Sequence, residues 1–248
     1  MKVNLALSGG ASRGIAHIGV IKALEELGFE ISAVSGVSAG ALVGAFYCDG
    51  YSPEEMLRVV KSRDWLRYLR PTVPRLGLVS LKGAEVYLRG MLSVDRIEEL
   101  KKRLFIGAVD LKSGKTHYFD SGSLFPILLG SCALPGIFEP VRYRSHLLMD
   151  GGITNNLPVE PLIDMEGLLV GVDVNPNAPI EKVGNIFQIL VRSFLLAVRS
   201  NVEKRKELCH VVIEPELYAY SPLSLLKAEE IYRLGYEKTM QVMRSYAR

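Results

Sequence analysis

The sequence has 248 residues, of which 48% are hydrophobic and 23% are charged, and its formal net charge is +3. These values exclude fibrous and disordered chains, and the charge is too small to favour a nucleic-acid partner. The length fits a single α/β domain over residues 1–248.

Targeting and cysteine signals are weak throughout the chain. Met1 is followed by a short apolar run and then glycines, so we predict no signal peptide. The most apolar long window, 186–198, is interrupted by polar residues and is shorter than the ~18 residues of a membrane span. Cys48, Cys132 and Cys209 are far apart and form no C-x-x-C pair, which disfavours a disulfide framework and a zinc site. We expect a cytoplasmic protein.

The first part of the chain alternates strands and helices around two turns that contain glycine. An apolar run at 3–7 predicts a strand, and the loop Ser8–Gly14 separates it from helical spacing at 15–27. The same order of strand, turn and helix repeats, with a strand at 31–35 and a helix at 41–46. Ser52 and Pro53 then mark the start of another helix.

The segment at about 63–82 is less regular. Its prolines, glycine, arginines, Trp65 and Tyr68 predict a loop-rich, lid-like insertion. Helical patterns follow at 84–92 and 95–100.

The second part adds more strands and two long helices. We predict strands at 105–109, 116–119, 137–141, 146–149, 168–174 and 211–213, and helices at 186–207 and 227–244. Alternation of this kind indicates a three-layer α/β/α fold with a mostly parallel central sheet.

Ser38 is the strongest candidate nucleophile. It lies in Gly36-Val37-Ser38-Ala39-Gly40, between a predicted strand and a predicted helix, as in a nucleophile elbow. Gly36 and Gly40 remove side-chain clashes around a sharp turn. An α/β-hydrolase would place more strands before its elbow than 37 residues allow.

No histidine occupies the place that a catalytic triad needs. We interpret His17 as structural and His210 as part of the buried structure. His117 and His146 lie in predicted strands without a motif.

Asp150 is therefore the best candidate base for Ser38. It ends a predicted strand and precedes Gly151 and Gly152, which allow close approach to another segment. On the tripeptide alone, an aspartate that caps a turn remains the alternative. Burial would raise its pKa towards a useful range.

The loop after the first strand is an anion-binding candidate. Backbone N–H groups of Gly9-Gly10-Ala11-Ser12-Arg13-Gly14 precede a helix, where they can hold an oxyanion together with the N–H of Ala39. The rival interpretation is a dinucleotide-binding loop, but the G-x-G-x-x-G spacing fails at Ala11. Arg13 can position the loop or meet a phosphate.

Four ordered blocks resemble the patatin-like phospholipase family, especially its small bacterial members. In chain order, the blocks are Ser8–Gly14 with His17–Val20, Gly36–Gly40, Ser131–Pro140, and Asp150–Gly152 with Asn155–Pro158. The resemblance implies a Ser38–Asp150 catalytic dyad, an oxyanion hole in the glycine loop, an acyl-enzyme intermediate and no metal or other cofactor.

The same resemblance implies a phospholipid, a lysophospholipid or another acyl ester as substrate. We expect the acyl chain to lie among Leu42, Phe46, Leu134, Ile137, Phe138 and the insertion. A soluble carboxylesterase or thioesterase and a non-catalytic lipid- or nucleotide-binding regulator are the alternatives. The sequence does not determine the oligomeric state.

Two basic clusters suggest peripheral contact with anionic lipid at the inner face of the membrane. One cluster comprises Lys61, Arg63, Arg67, Arg70, Arg75 and Lys82, and the other comprises Arg199, Lys204, Arg205 and Lys206. A solvated surface is the plainer interpretation of both.

Overall fold

The structure is a computed structural model that describes residues 1–68, 70–71, 76–175 and 184–247. For residues 65, 66, 70 and 71 it describes the backbone only. The side chain of Trp65 and the predicted contributions of Arg70 and Arg75 therefore lie outside the described part of the chain.

The described residues form ten strands and seven α-helices. The strands are β1 (Lys2–Leu7), β2 (Glu30–Val37), β3 (Arg70–Pro71), β4 (Val79–Ser80), β5 (Arg103–Asp110), β6 (Lys115–Phe119), β7 (Val141–Tyr143), β8 (His146–Asp150), β9 (Leu168–Val172) and β10 (Val211–Ile213). The helices are α1 (Ile15–Glu26), α2 (Ala39–Asp49), α3 (Pro53–Ser62), α4 (Lys82–Met91), α5 (Leu124–Ser131), α6 (Ile186–Lys206) and α7 (Ala228–Met243).

The central sheet is mixed but mostly parallel, as predicted. Strands β10, β9, β1, β2 and β5 are adjacent in that order and all run parallel. Strands β6 and β8 pair with β5 in the antiparallel sense, and β7 continues from β8. Strands β3 and β4 form a separate hairpin.

Helices cover both faces of this sheet. Val3, Leu5 and Leu7 of β1 belong to the large core cluster that includes residues of α1, α2, α5 and α7. Ala6 of the same strand belongs to a second cluster, together with Val202 of α6. Side chains alternate between the faces of a strand, so β1 is buried on both sides and the three-layer prediction is confirmed.

Strand β5 brings two other strands end to end. On one of its edges, β2 pairs up to the Val37–Gly107 position, and β8 pairs from the adjacent Asp150–Ala108 position. Strand β6 occupies the opposite edge. The carboxyl ends of β2 and β8 therefore meet beside consecutive residues of β5, although the two strands approach from opposite directions.

Local sequence signals explain most element boundaries. Ser52 caps α3 because its Oγ accepts the Glu55 N–H at 3.2 Å while Glu55 Oε2 accepts the Ser52 N–H at 2.8 Å. This reciprocal pair satisfies two N–H groups that the first helical turn leaves unbonded. The predicted helix start at Ser52 and Pro53 is confirmed.

Two predicted elements are wrong. The strand expected at 137–141 begins only at Val141, because Pro135–Ile137 form a turn with Gly136 at φ +77° and Pro140 has no N–H to donate. The helix expected at 95–100 is a single 3₁₀ turn, Ile97–Glu99. The sequence analysis also missed α5, which is apolar on every side and shows no helical period.

The segment expected to be loop-rich contains more regular structure than predicted. It forms a 3₁₀ helix at Asp64–Tyr68 and the β3–β4 hairpin, and α4 begins at Lys82. The amides of Leu78 and Val79 donate to Ile137 O, each at 2.9 Å. The end of this segment is therefore attached to the 137–139 backbone, and its role as a lid stays a prediction.

Candidate active site

Ser38 occupies a sharp turn between β2 and α2. It has φ +54° and ψ −123°, a conformation that is rare for residues other than glycine. The turn also requires Gly40, because a Cβ there would lie 2.3 Å from Leu7 O. The strand, turn and helix arrangement expected around the serine is present.

The backbone of Ser38 is held by the segment that precedes Asp150. The buried Ser131 hydroxyl accepts the Ser38 N–H at 2.9 Å and donates to Gly107 O at 2.6 Å. Cys132 Sγ donates to Ser38 O at 3.4 Å. Both polar groups of the Ser38 backbone are thus bonded to side chains at the end of α5, which fixes the turn relative to β5.

The structure brings Asp150 to Ser38. Asp150 is the last residue of β8 and is 1% exposed, its carboxyl accepts the Gly152 N–H at 2.9 Å, and the Ser38 hydroxyl adjoins it. Burial raises the pKa of Asp150 to about 6, although the Ser38 hydroxyl and the Gly152 N–H oppose that shift. Its carboxylate predominates at neutral pH and remains a stronger base than an exposed aspartate.

The glycine loop is held from behind by two asparagines. Gly9 O accepts hydrogen bonds from Asn175 Nδ2 at 2.5 Å and from Asn156 Nδ2 at 3.5 Å. The C=O and N–H of a trans peptide point in opposite directions, so the Gly10 N–H points away from Asn175. A Cβ on Gly10 would lie 2.4 Å from Val174 Cγ2, so the loop cannot retreat to admit a side chain.

Charged residues of α6 hold Asn175 in turn. Asp173 Oδ1 accepts the Asn175 N–H at 3.0 Å, and Asp173 Oδ2 contacts Arg199 Nη1 at 2.8 Å and Lys206 Nζ at 2.9 Å. The carboxylate of Asp173 is fully buried, so two cations compensate its charge. This network positions the glycine loop through Asn175.

The network accounts for three members of the second basic cluster. Arg199 and Lys206 are paired with Asp173, and Arg205 Nε contacts Glu160 Oε1 at 2.7 Å. A charge that is paired and partly buried attracts an external anion weakly. These three residues support the fold internally, Lys204 is exposed, and lipid contact by the cluster stays a prediction.

Arg13 and His17 support the loop from the other side. Arg13 Nε donates to Tyr220 O at 2.7 Å, and the Arg13 backbone N–H donates to Gly10 O at 3.1 Å. His17 is fully buried with Nε2 at 2.8 Å from Ser8 O, and burial lowers its pKa to about 4. The expected structural role of His17 is confirmed, and Arg13 lies where it positions the loop.

The remaining histidines lie away from Ser38. His210 is exposed, which corrects the expectation of a buried residue, and its Nδ1 accepts the Leu169 N–H at 2.8 Å. His117 and His146 lie side by side on β6 and β8. Among the described residues, the groups adjoining the serine hydroxyl therefore include Asp150 and no histidine.

Ser38 and Asp150 open into a cavity of about 480 Å³. Its polar wall comprises Gly9, Gly10, Ala11, Ser38, Ala39, Asp150 and Asn156, and Gly14 lies beside it. Its apolar wall is drawn from several elements and includes Leu42, Phe46, Met56, Val59, Leu81, Leu88, Leu134, Ile137, Phe138, Val191, Phe194, Leu195 and Leu225. The five apolar residues named from the sequence as flanking an acyl chain all line this cavity, as does Leu81 from the end of the insertion.

The sequence analysis missed several contributors to the site. Asn175 was missed although it follows a buried parallel strand, a position from which polar residues commonly reach a site. The parts of the wall from α3, α6 and the 222–225 segment were missed because no motif in those segments indicates that they pack beside Ser38. Gly36, Gly151 and Gly152 lie beside the serine and aspartate as expected.

The fold and the site together define an α/β protein with an elbow serine beside a buried aspartate. A family model described as patatin-like phospholipase matches residues 5–163, and the chain belongs to that family. The resemblance inferred from the four sequence blocks is confirmed.

Individual relatives extend this result. An uncharacterized NTE family protein of Mycobacterium bovis is 34% identical over 177 residues, covering 70% of this chain and 49% of that protein. A lysophospholipase NTE1 of Meyerozyma guilliermondii is 27% identical, covering 94% of this chain and 19% of that protein. The chain thus spans about half, or less, of the length of these relatives.

A solved structure supports the fold independently. VipD from Legionella pneumophila superposes with a TM-score of 0.56 at 16% identity, covering 98% of this chain and 66% of that chain. Within the described part of the chain, no helix combines the length and hydropathy needed to cross a bilayer.

Proposed function

We propose that the chain is a serine hydrolase that cleaves a fatty-acyl ester of a phospholipid or lysophospholipid. The observation that carries this proposal is that the Ser38 hydroxyl adjoins the buried Asp150 carboxyl, at a cavity that is otherwise mainly apolar. A hydroxyl with an adjacent base is an activated nucleophile, and an apolar cavity of this size suits an acyl chain. Family membership and the relatives named lysophospholipase support the same chemistry.

The proposed reaction has two acyl-transfer steps. Asp150 accepts the Ser38 proton as Oγ attacks the ester carbonyl carbon, and the resulting oxyanion accepts hydrogen bonds from the N–H groups of Gly10, Ala11 and Ala39. The C–O bond to the alcohol breaks, and the alcohol leaves with the proton from Asp150. Asp150 then deprotonates a water that attacks the acyl-Ser38 ester, the bond between the acyl carbon and Oγ breaks, and Oγ takes the proton from Asp150, which releases the fatty acid and restores Ser38.

A single carboxyl serves as base and acid in this scheme, so its pKa decides the working pH. With a pKa of about 6, the unprotonated form of Asp150 increases as pH rises through that value. We expect kcat/KM for a short-chain ester to rise across the same interval. A profile governed only by an exposed carboxylate would already be flat there.

We also propose that the cavity opens towards a lipid surface. Phe187, Leu190, Leu223 and Leu226 are exposed, and Leu223 also lines the cavity; we assign these four residues to an apolar rim. On α6, Phe187 and Leu190 precede Val191 and Phe194 at helical spacing, so they extend the stripe that lines the cavity. Exposed apolar side chains continuous with an acyl-binding cavity favour contact with aggregated lipid.

Fluorophosphonate labelling and turnover of a p-nitrophenyl ester test the chemistry directly. We expect Ser38→Ala to lose both, Asp150→Asn to lose most turnover, and Ser32→Ala to match the wild type as a serine control on β2. An inactive, unlabelled wild type would favour the binding-protein alternative. Faster turnover of dispersed short-chain esters or thioesters than of phospholipid vesicles would favour a soluble esterase or thioesterase.

A further inference from the structure

A second group of chemically capable side chains lies outside the cavity. Asp110 ends β5, His117 lies in β6 and His146 begins β8. His117 is opposite Ala108, two residues from Asp110, and His146 is two residues from Leu148, which is opposite Asp110. Directly opposed and alternate residues share a face, so all three side chains lie on one face of the sheet.

These side chains converge closely. One ligand atom from each lies within 4.8 Å of the others, and His146 Nδ1 is 3.5 Å from Asp110 Oδ2. The two imidazole centroids are 4.6 Å apart, and the His117 ring stacks on Phe119 with centroids 5.8 Å apart. Asp110 is 5% exposed, and both histidines are half-buried. Packing therefore limits the orientations that the three groups can adopt.

The backbone and serine hydrogen bonds of Asp110 leave one lone pair of its carboxylate facing the histidines. Its Oδ1 accepts the Leu147 N–H at 2.9 Å and the Lys112 N–H at 3.2 Å, while its Oδ2 accepts the Ser113 hydroxyl at 2.9 Å. A carboxylate oxygen can accept about two hydrogen bonds, so Oδ1 is saturated and Oδ2 retains one lone pair towards the histidines. Outer hydrogen bonds of this kind also orient the carboxylates that ligate metals.

We propose that Asp110, His117 and His146 bind a divalent transition-metal ion such as Zn²⁺ or Co²⁺. Two imidazoles and a carboxylate suit these ions, whereas Ca²⁺ and Mg²⁺ prefer oxygen ligands alone. Bound there, the ion connects the β5–β6 hairpin to the start of β8. His146 lies four residues before Asp150 on β8, about 13 Å away at the usual rise per residue. None of the three ligands lines the cavity that Ser38 and Asp150 share, so the ion stabilises this edge without entering the reaction.

The sequence analysis did not assemble this site because its histidines are in separate strands with no ligand spacing between them. The proposal is independent of the proposed hydrolase function. It requires only that the sheet edge has the register described above.

Calorimetric titration of metal-free protein with Zn²⁺ tests the site, and the histidine variants distinguish it from binding to cysteine thiols. We expect one equivalent to bind the wild type and His210→Gln, the control for an exposed histidine elsewhere. His117→Ala and His146→Ala should each weaken binding at least tenfold. Circular dichroism of each variant would establish that it is folded.

Co²⁺ absorption and thermal unfolding provide a second test. We expect Co²⁺ to give ligand-field bands in the wild type that are lost in His117→Ala, and Zn²⁺ to raise the Tm of the wild type and His210→Gln but not that of His117→Ala or His146→Ala. Absence of stoichiometric binding to the wild type would overturn the proposal. Binding that persists unchanged in both histidine variants would overturn it as well.

Discussion

The polar and apolar walls of the cavity are built in different ways. In the polar wall, short distances fix individual atoms: Ser38 N is bonded to Ser131 Oγ, and Gly9 O to Asn175 Nδ2. In the apolar wall, side chains from α2, α3, α4 and α6 contribute area without directional bonds. We infer that loss of a single hydrogen-bonding atom from the polar wall lowers the reaction rate. Substitutions in the apolar wall and its rim should instead weaken lipid binding, each by a small amount.

After removal of the nucleophile or the base, the largest expected effect is that of Gly10→Val. The new Cβ would overlap Val174 Cγ2 and displace the N–H proposed to bind the oxyanion. Loss of one such donor typically raises the barrier by ~2.7–4 kcal/mol, a loss of about 10²–10³ in kcat. Steady-state turnover of a short-chain ester measures it.

Gly90→Val is the matched control, because a Cβ at Gly90 meets nothing within 4 Å. It should retain near-normal kcat. Full activity in Gly10→Val, with the fold verified by circular dichroism, would contradict the proposed oxyanion site.

Asp150→Asn should lower activity while it raises the free energy of unfolding at high pH. The folded protein holds a proton on Asp150 more tightly than the unfolded chain does, since burial raises the pKa from 3.8 to about 6. The contribution of Asp150 to the stability of the wild type therefore decreases as pH rises from about 4 through 6, and the carboxylate costs roughly 3 kcal/mol above that interval.

The amide carries no charge at any of these pH values, so Asp150→Asn should lose activity yet be more stable at pH 8. Urea unfolding of both proteins at pH 4 and pH 8 measures this difference. An Asn variant that is less stable than the wild type at pH 8 would contradict the assigned cost of the buried charge.

Asn175→Ala should have an intermediate effect. It removes the shorter hydrogen bond to Gly9 O and leaves a buried carbonyl with a weaker partner, at a cost of ~1–3 kcal/mol. We expect kcat to fall about tenfold or more while KM for a short-chain ester stays unchanged. A change confined to KM would show that the asparagine acts on substrate binding instead.

The smallest expected effect belongs to the apolar rim. Phe187→Ser and Leu190→Ser should lower partition to phospholipid vesicles by a few fold each, because partly exposed side chains bury only part of their area on contact. Vesicle flotation and turnover of a dispersed ester should be measured on the same samples. We expect only the flotation to change.

Leu208→Ser is the control, since Leu208 is 51% exposed beyond the other end of α6. If it weakens flotation as much as Phe187→Ser does, the rim is not the docking surface. Vesicles with and without anionic lipid would also show whether charge contributes.

The sequence predicted those parts of the site that lie within short segments. Ser38 and its glycines form a local strand, turn and helix, and Asp150 follows a readable strand. Asn175 and the α6 wall depend on which strands become neighbours, which no local pattern specifies. The errors at 137–141 and 124–131 have separate origins: proline and glycine override strand propensity in the first, and burial on nearly every side removes helical periodicity in the second.

The end-to-end arrangement of β2 and β8 on β5 has a consequence for how the chain tolerates insertions. Gly107 pairs with Val37 and the adjacent Ala108 pairs with Asp150, so the register of β5 sets the separation of Ser38 and Asp150. Loops that connect the other elements can lengthen without altering that spacing. One residue inserted between Gly107 and Ala108 would shift Asp150 by a full position and turn its side chain to the opposite face.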